Sequence, residues 1–210
     1  MNLLILGATG SIGRHLVPLA LEKGHQVTAL VRDPAKLAIS HAQLRTLAGD
    51  ALQPPDVEQA VRFQDAVIYA LGADQMGKPT TLFSDSTRIL LEAMKRHGVR
   101  RLVAITGIGA GDSKGHGGFF YDQIIYRFFT KPIYEDKDRQ EELIRASDRD
   151  WTIVRPSAFT DHSPPGAVLR ALTDLGGVTV KSISRADTAA FVLEQVSSDR
   201  WLRQSPLVGY

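Results

Sequence analysis

The chain has 210 residues, 43% hydrophobic and 23% charged, which is enough apolar material for a packed core and excludes a disordered segment. Its 25 basic and 23 acidic residues form no basic run, so the formal charge of +2 argues against nucleic acid as a direct partner. The absence of cysteine excludes disulfides, thiolate zinc sites and a cysteine nucleophile.

Leu3 to Leu6 is a continuous apolar run, as a strand buried on both faces requires, and the start of the chain has no basic leader. The spacing predicts a helix from about Ile12 to Lys23, stopped by Gly24. Val27 to Val31 and Leu44 to Leu47 read as strands, Asp56 to Arg62 as a short helix and Ala66 to Ala70 as a fourth strand. A helix over Ser84 to His97, closed by Gly98, leads into a fifth strand, Val99 to Ile105. Gly109 to Gly118 holds five glycines in ten residues and reads as a mobile loop, followed by the aromatic stretch Phe119 to Phe129. A helix over Glu135 to Ala146 and a strand over Trp151 to Arg155 come next. Pro164-Pro165-Gly166 marks a turn, Val178 to Lys181 a late strand and Ala186 to Val196 a last helix.

Strands alternating with helices predict a doubly wound α/β sandwich of three layers, a Rossmann fold whose parallel sheet runs 3-2-1-4-5-6. With no linker, repeat or low-complexity tail, a single domain over 1–210 is expected, its substrate side built from about 106–135 and 156–182. No apolar stretch approaches the roughly 18 residues that span a bilayer. A cytoplasmic protein without membrane contact, monomeric or homodimeric and acting on a small molecule, is the expectation.

Between the first strand and first helix lies Gly7-Ala8-Thr9-Gly10-Ser11-Ile12-Gly13. Glycines there allow a tight turn, close approach of backbone to a pyrophosphate and packing of helix on strand. The helix start offers free N–H groups and the positive end of its dipole to phosphates. In NAD sites of this kind a carboxylate ends the second strand and binds the ribose 2′-hydroxyl. Here Arg32 stands in that region, 19 residues after Gly13, and a guanidinium suits a 2′-phosphate. NADP(H) is therefore expected as cofactor, with Arg14 able to assist; NAD(H) stays possible because Asp33 lies one residue on.

The GxxGxxG run resembles the fingerprint of atypical short-chain dehydrogenase/reductases, the group of NmrA-like and biliverdin/flavin reductase B-like proteins. Val31 to Leu37, Gly49-Asp50-Ala51, Trp151 to Pro156 and Ile183 to Ala189 extend that resemblance over nearly the whole chain. It implies that Asp50 and Ala51 flank the adenine, that Leu71 and Gly72 line its ribose, and that Thr106 and Pro156 approach the nicotinamide half. Lys137 is positioned like the lysine with which the superfamily holds the nicotinamide ribose; its other reading is an exposed partner of Glu141 at i,i+4.

Typical members place a tyrosine four residues before that lysine and use a serine as well. Ile133 fills the first position here, Tyr134 lies three residues before Lys137, and Thr106 is followed by Gly107 where a serine is expected. The catalytic candidates are thus Lys137, Tyr134 and Thr106 in a rearranged triad. Phe119, Phe120, Tyr121 and Phe159 are candidate walls of an apolar pocket for a flat acceptor. His116 and His162 are candidate proton donors, and no histidine spacing suggests a metal site. The leading expectation is an NADPH-dependent oxidoreductase, a reductase of a planar acceptor such as a flavin or quinone. A non-enzymatic NmrA-like redox sensor and an NAD-dependent, sugar epimerase-like isomerase are the alternatives.

Overall fold

The computed structural model describes residues 1–73, 78–115, 130–164, 166–174, 176 and 180–210. Strand β1 (Asn2–Leu6) is central because it is apolar at every position after the first. Leu3 and Ile5 enter the core under α1 (Gly13–Glu22) and α5 (Arg185–Glu194), while Leu4 and Leu6 enter the opposite core. That second core lies under α2 (Pro54–Val61), α3 (Leu82–Arg96) and α4 (Lys131–Ala146). A strand at the middle of three layers must be apolar on both faces, and this one is.

The other parallel strands are β2 (Gln26–Val31), β3 (Leu44–Ala48), β4 (Ala66–Tyr69), β5 (Arg101–Ile105) and β6 (Asp150–Pro156). They pair in the order β3-β2-β1-β4-β5-β6, the order expected of a Rossmann sheet. Chain order reverses beside β1, which opens a crevice at the carboxyl ends of β1 and β4.

The sheet does not stop at β6. Leu207–Gly209 (β10) runs parallel to β6, and Arg170–Leu172 (β8) closes the edge antiparallel to β10, giving eight strands. Ala158–Thr160 (β7) and Ser182–Ser184 (β9) form a separate parallel pair. The expected strand over Val178 to Lys181 is thus corrected: residues 177–179 lie outside the described ones, and the strand begins at Ser182. Its register is set by Tyr210, whose N–H donates to the Ser182 carbonyl (2.9 Å), and its end by Ser184, whose Oγ accepts from Asp187 N–H (2.9 Å) and caps α5.

Helix α4 starts at Lys131, four residues before the expected Glu135, because Pro132 sits in the first turn, where its missing N–H costs nothing. Tyr134 is therefore inside the helix. In the next turn Asp136, fully buried, pairs with Arg139 of its own helix (3.1 Å) and reaches across to α3. Its carboxylate accepts from the N–H of Phe83 (2.8 Å) and Ser84 (3.4 Å) and from Ser84 Oγ (2.5 Å). It thereby caps α3, whose own N-cap, Thr81, makes no side-chain cap bond.

The described part of the glycine-rich loop, residues 109–115, is fastened, against the expectation of a mobile loop. Gly111–Ser113 forms a 3-10 turn, and buried Ser113 donates to the carbonyl of Ile108 (3.0 Å) or Ala110 (2.6 Å). Gly111 N–H donates to Asp138 (2.8 Å), Lys114 pairs with Asp138, and Asp112 pairs with Arg155. These ties join the loop to both α4 and β6, which composition alone does not reveal. Among the described residues no helix is long and apolar enough to cross a membrane.

Candidate functional site

The glycine run leaves β1 at the crevice. Gly7 has φ +86°, and a Cβ there would collide with the backbone of Ala70 as the chain leaves β4. A Cβ on Gly13 would likewise strike the carbonyl of Gly7 and the backbone of Ala8, so α1 can seat against the loop only without a side chain there. Gly10 N–H closes the turn onto Gly7 O (2.9 Å). The N–H groups of Ser11, Ile12 and Gly13 donate to no described acceptor, at the positive end of α1. Buried Ala8 and Ile12 anchor the loop beneath, while Ser11 is exposed. Three open donors beside a helix start fit a pyrophosphate.

Arg14 folds back, its Nε donating to Thr9 O (3.1 Å), which holds a guanidinium beside the loop. Arg32 is exposed directly after β2. Asp33, the carboxylate that complicated the cofactor reading, is spent locally: its Oδ1 accepts from Ala35 N–H (3.1 Å) and caps the 3-10 turn Pro34–Lys36. Beyond β3, Asp50 accepts from Leu52 N–H (2.9 Å), and its own N–H donates to Asp56 (2.8 Å). Its carboxylate shapes the turn that carries buried Ala51. Asp56 is the residue that holds this turn, and as one more acid at a helix start it went unnoticed in the sequence. Leu71 packs on the core at the exit of β4, with Gly72 exposed beside it.

At the exit of β5 the candidates converge. Lys137 is 8% exposed, not the surface lysine of the alternative reading. Its ammonium donates to the Ile105 carbonyl (3.3 Å), the last residue of β5, and lies 4.4 Å from the centre of the Phe83 ring. Among the described residues its remaining protons have no acceptor. Burial pulls its pKa down to about 8 against the opposing pull of Glu141 and Asp136.

Tyr134 lies over Gly107 and Gly109. A Cβ on Gly107 (φ +146°) would stand 2.5 Å from the tyrosine Oη, and one on Gly109 2.8 Å from a ring carbon. The tyrosine therefore occupies the place in which a serine at position 107 would project.

Thr106 is buried, and its hydroxyl donates to Glu141 Oε1 (2.7 Å). Glu141 in turn accepts from both Nε (3.0 Å) and Nη2 (2.6 Å) of Arg155, a bidentate pair with both residues at most 3% exposed. The sequence showed Glu141 only as a helical neighbour of Lys137. Arg145 is an i,i+4 partner (3.2 Å), but the bidentate one comes from β6, which no helical pattern signals. Pro156 closes that strand, and its carbonyl accepts from Ile108 N–H (3.0 Å).

Phe159, in β7, is 40% exposed, with the Arg185 guanidinium 5.6 Å from its ring centre. His162 is exposed on the turn after β7. Phe119, Phe120, Tyr121 and His116 lie outside the described residues.

The sequence of residues 7–199 matches the model of a family described as NAD(P)H-binding. This chain belongs to that NAD(P)H-binding family. It is 29% identical over 206 residues to UPF0659 protein C216.03 of Schizosaccharomyces pombe, covering 90% of this chain and 81% of that protein. It is 30% identical over 165 residues to the NAD(P)H azoreductase of Xenophilus azovorans, covering 76% of this chain and 49% of the azoreductase, about half its length. A short-chain dehydrogenase/reductase from Veillonella parvula, solved in complex with NADP, shares the fold with a TM-score of 0.83 at 18% identity, covering 100% of this chain and 94% of that one.

Proposed function

We propose that this protein is an NADPH-dependent reductase of a small planar conjugated acceptor, such as a flavin or a quinone. The observation that carries the reading is the buried Lys137 ammonium at the exit of β5, with protons left over after its bond to Ile105. A cation in that position suits ribose hydroxyls, and the low dielectric around it strengthens each such bond. When bound, a reduced nicotinamide dinucleotide supplies the acceptor with a pair of electrons and a proton.

The chain's own residues do the rest. Ser11, Ile12 and Gly13 offer backbone donors to phosphate, and Arg32 and Arg14 stand ready for a 2′-phosphate. Tyr134 presents its hydroxyl above Gly107, from where it delivers a second proton to the reduced acceptor, with Lys137 as the neighbouring proton reserve. Thr106 serves as support, because its own proton is already directed at Glu141. Phe159 supplies a flat apolar wall. The likeness to an NAD(P)H azoreductase supports a conjugated, nitrogen-rich or oxygen-rich acceptor.

The commitment of the Thr106 hydroxyl to Glu141 favours one other reading, a dinucleotide sensor that binds the cofactor without turnover. Steady-state consumption of NADPH and NADH against a panel of flavins, quinones, azo dyes and carbonyl compounds separates the two. NADPH-selective turnover of one planar class is expected. Tight NADPH binding with no turnover across the panel would replace the reductase by the sensor.

A further inference from the structure

The opposite end of the sheet holds a feature that the dinucleotide does not use. Asn2, Gln26 and Leu44 begin β1, β2 and β3, and beside them opens a cleft of about 290 Å³. Five-residue strands place it roughly 17 Å from the glycine loop. Thr28 and Arg45 are paired residues of β2 and β3 and share one face of the sheet, while Arg62, Phe63 and Gln64 leave α2 above them.

Three independent properties of this cleft point to a ligand. First, two guanidiniums, of Arg45 and Arg62, line it with no acidic residue in its wall, and neither has a side-chain partner among the described residues. Second, the Gln64 amide is fixed by donating to Thr28 Oγ1 (3.2 Å) and to the Arg62 carbonyl (3.1 Å). That holds the Gln64 side chain in one position as a wall of the cleft, with its Oε1 turned out of reach of solvent. Third, Phe63 is 86% exposed and held at φ +63°, a left-handed conformation that a large side chain adopts rarely. The bond from Asn2 Nδ2 to its carbonyl (3.0 Å) keeps it there. The turn is closed by Gln64 N–H onto Val61 O (3.2 Å) and sets the Phe63 ring outward at the rim of the cleft.

We propose that this cleft is a second binding site, for a small planar organic anion. Its carboxylate or phosphate is held by Arg45 and Arg62, and its ring packs on Phe63. The volume limits the occupant to a ring of one or two cycles with short substituents.

Calorimetry and amide shifts of NADP⁺-saturated full-length protein, titrated with 4-hydroxybenzoate, benzoate and phenyl phosphate, test the assignment without any reference to turnover. The anions are expected to bind once per chain and to shift the amides of Phe63 and Gln64. Arg45→Gln and Arg62→Gln, both on the surface, are expected to weaken binding by about tenfold or more while NADP⁺ affinity is retained. No heat and no shift with all three probes would overturn the proposal, as would binding that ignores both arginine substitutions. Arginine-dependent binding of a single-stranded RNA oligomer, with none of the small anions, would likewise overturn it in favour of a polyanion surface.

Discussion

Burial takes from the Lys137 side chain much of the proton affinity it has in water, bringing its pKa from 10.5 to about 8. A base whose folded pKa lies below its unfolded value binds fewer protons folded than unfolded between the two. Stability therefore rises as pH climbs from about 8 to 10.5, and the penalty is fully present below about 8. At neutral pH it is of order 3 kcal/mol. Lys137→Met is expected to lose about a hundredfold or more in turnover yet to match or exceed the wild type in urea denaturation at pH 7. That stability margin should shrink above pH 8, and wild-type kcat should fall through the same range as the lysine loses its proton. A variant that turns over normally would remove Lys137 from the mechanism. Arg32 makes a sharper statement about the cofactor. Because Asp33 is turned into its own capping bond, Arg32→Ala is expected to weaken NADPH binding at least tenfold while leaving NADH within about twofold. Equal losses for both, measured by fluorescence titration, would dismiss the 2′-phosphate assignment.

Helices α3 and α4 are joined by a cap supplied from one to the other. Asp136→Ala strips acceptors from the N–H groups of Phe83 and Ser84 and from the Ser84 hydroxyl. It is expected to cost about 1–3 kcal/mol, read in denaturation, and to accelerate hydrogen exchange at the first turn of α3 before other helices. Unchanged exchange there would mean that α3 does not depend on the cap. Asp136 and Glu141 also show where sequence reading reaches its end. Both sit in a helix rich in charge, where i,i+3 and i,i+4 patterns suggest a solvated face, yet both are buried, each sharing its carboxylate between a helical arginine and groups from distant elements. Strands β1, β2, β4, β5 and β6 were legible because each carries an apolar run bounded by turn residues, and β3 only through Leu44 and Leu47 on either side of a polar pair. Strands β7 to β10 were not, since three residues such as Ser182 to Ser184 are too few to display a period and owe their conformation to what they pair with. The glycine loop was legible down to individual residues, and the exchange of partners at the β5 exit was invisible.

At the scale of the molecule, the added edge of β10 and β8 bears on the site. Leu207 is fully buried with Ile108 and Val180, so the last strand packs directly against the loop that leaves β5. Leu207→Ala is expected to destabilise the protein by about 2–5 kcal/mol in a single cooperative transition, since the same cluster ties the sheet edge to the core. A separate early transition, with the rest of the sheet intact, would show that this edge unfolds on its own. The two ends of the sheet then carry different chemistry on one rigid frame: dinucleotide recognition at the carboxyl ends of the strands and an anion cleft at their amino ends.

The tyrosine above Gly107 also constrains which substitutions this sequence accepts. A side chain at position 107 and the Tyr134 ring claim the same space, with only 2.5 Å between the Cβ point and the hydroxyl. A serine introduced there alone meets a collision, and the tyrosine removed alone leaves a void and no hydroxyl at all. The two positions are thus coupled, and a change at either is felt at the other. A library that varies positions 107 and 134 together can therefore explore combinations that single changes cannot reach.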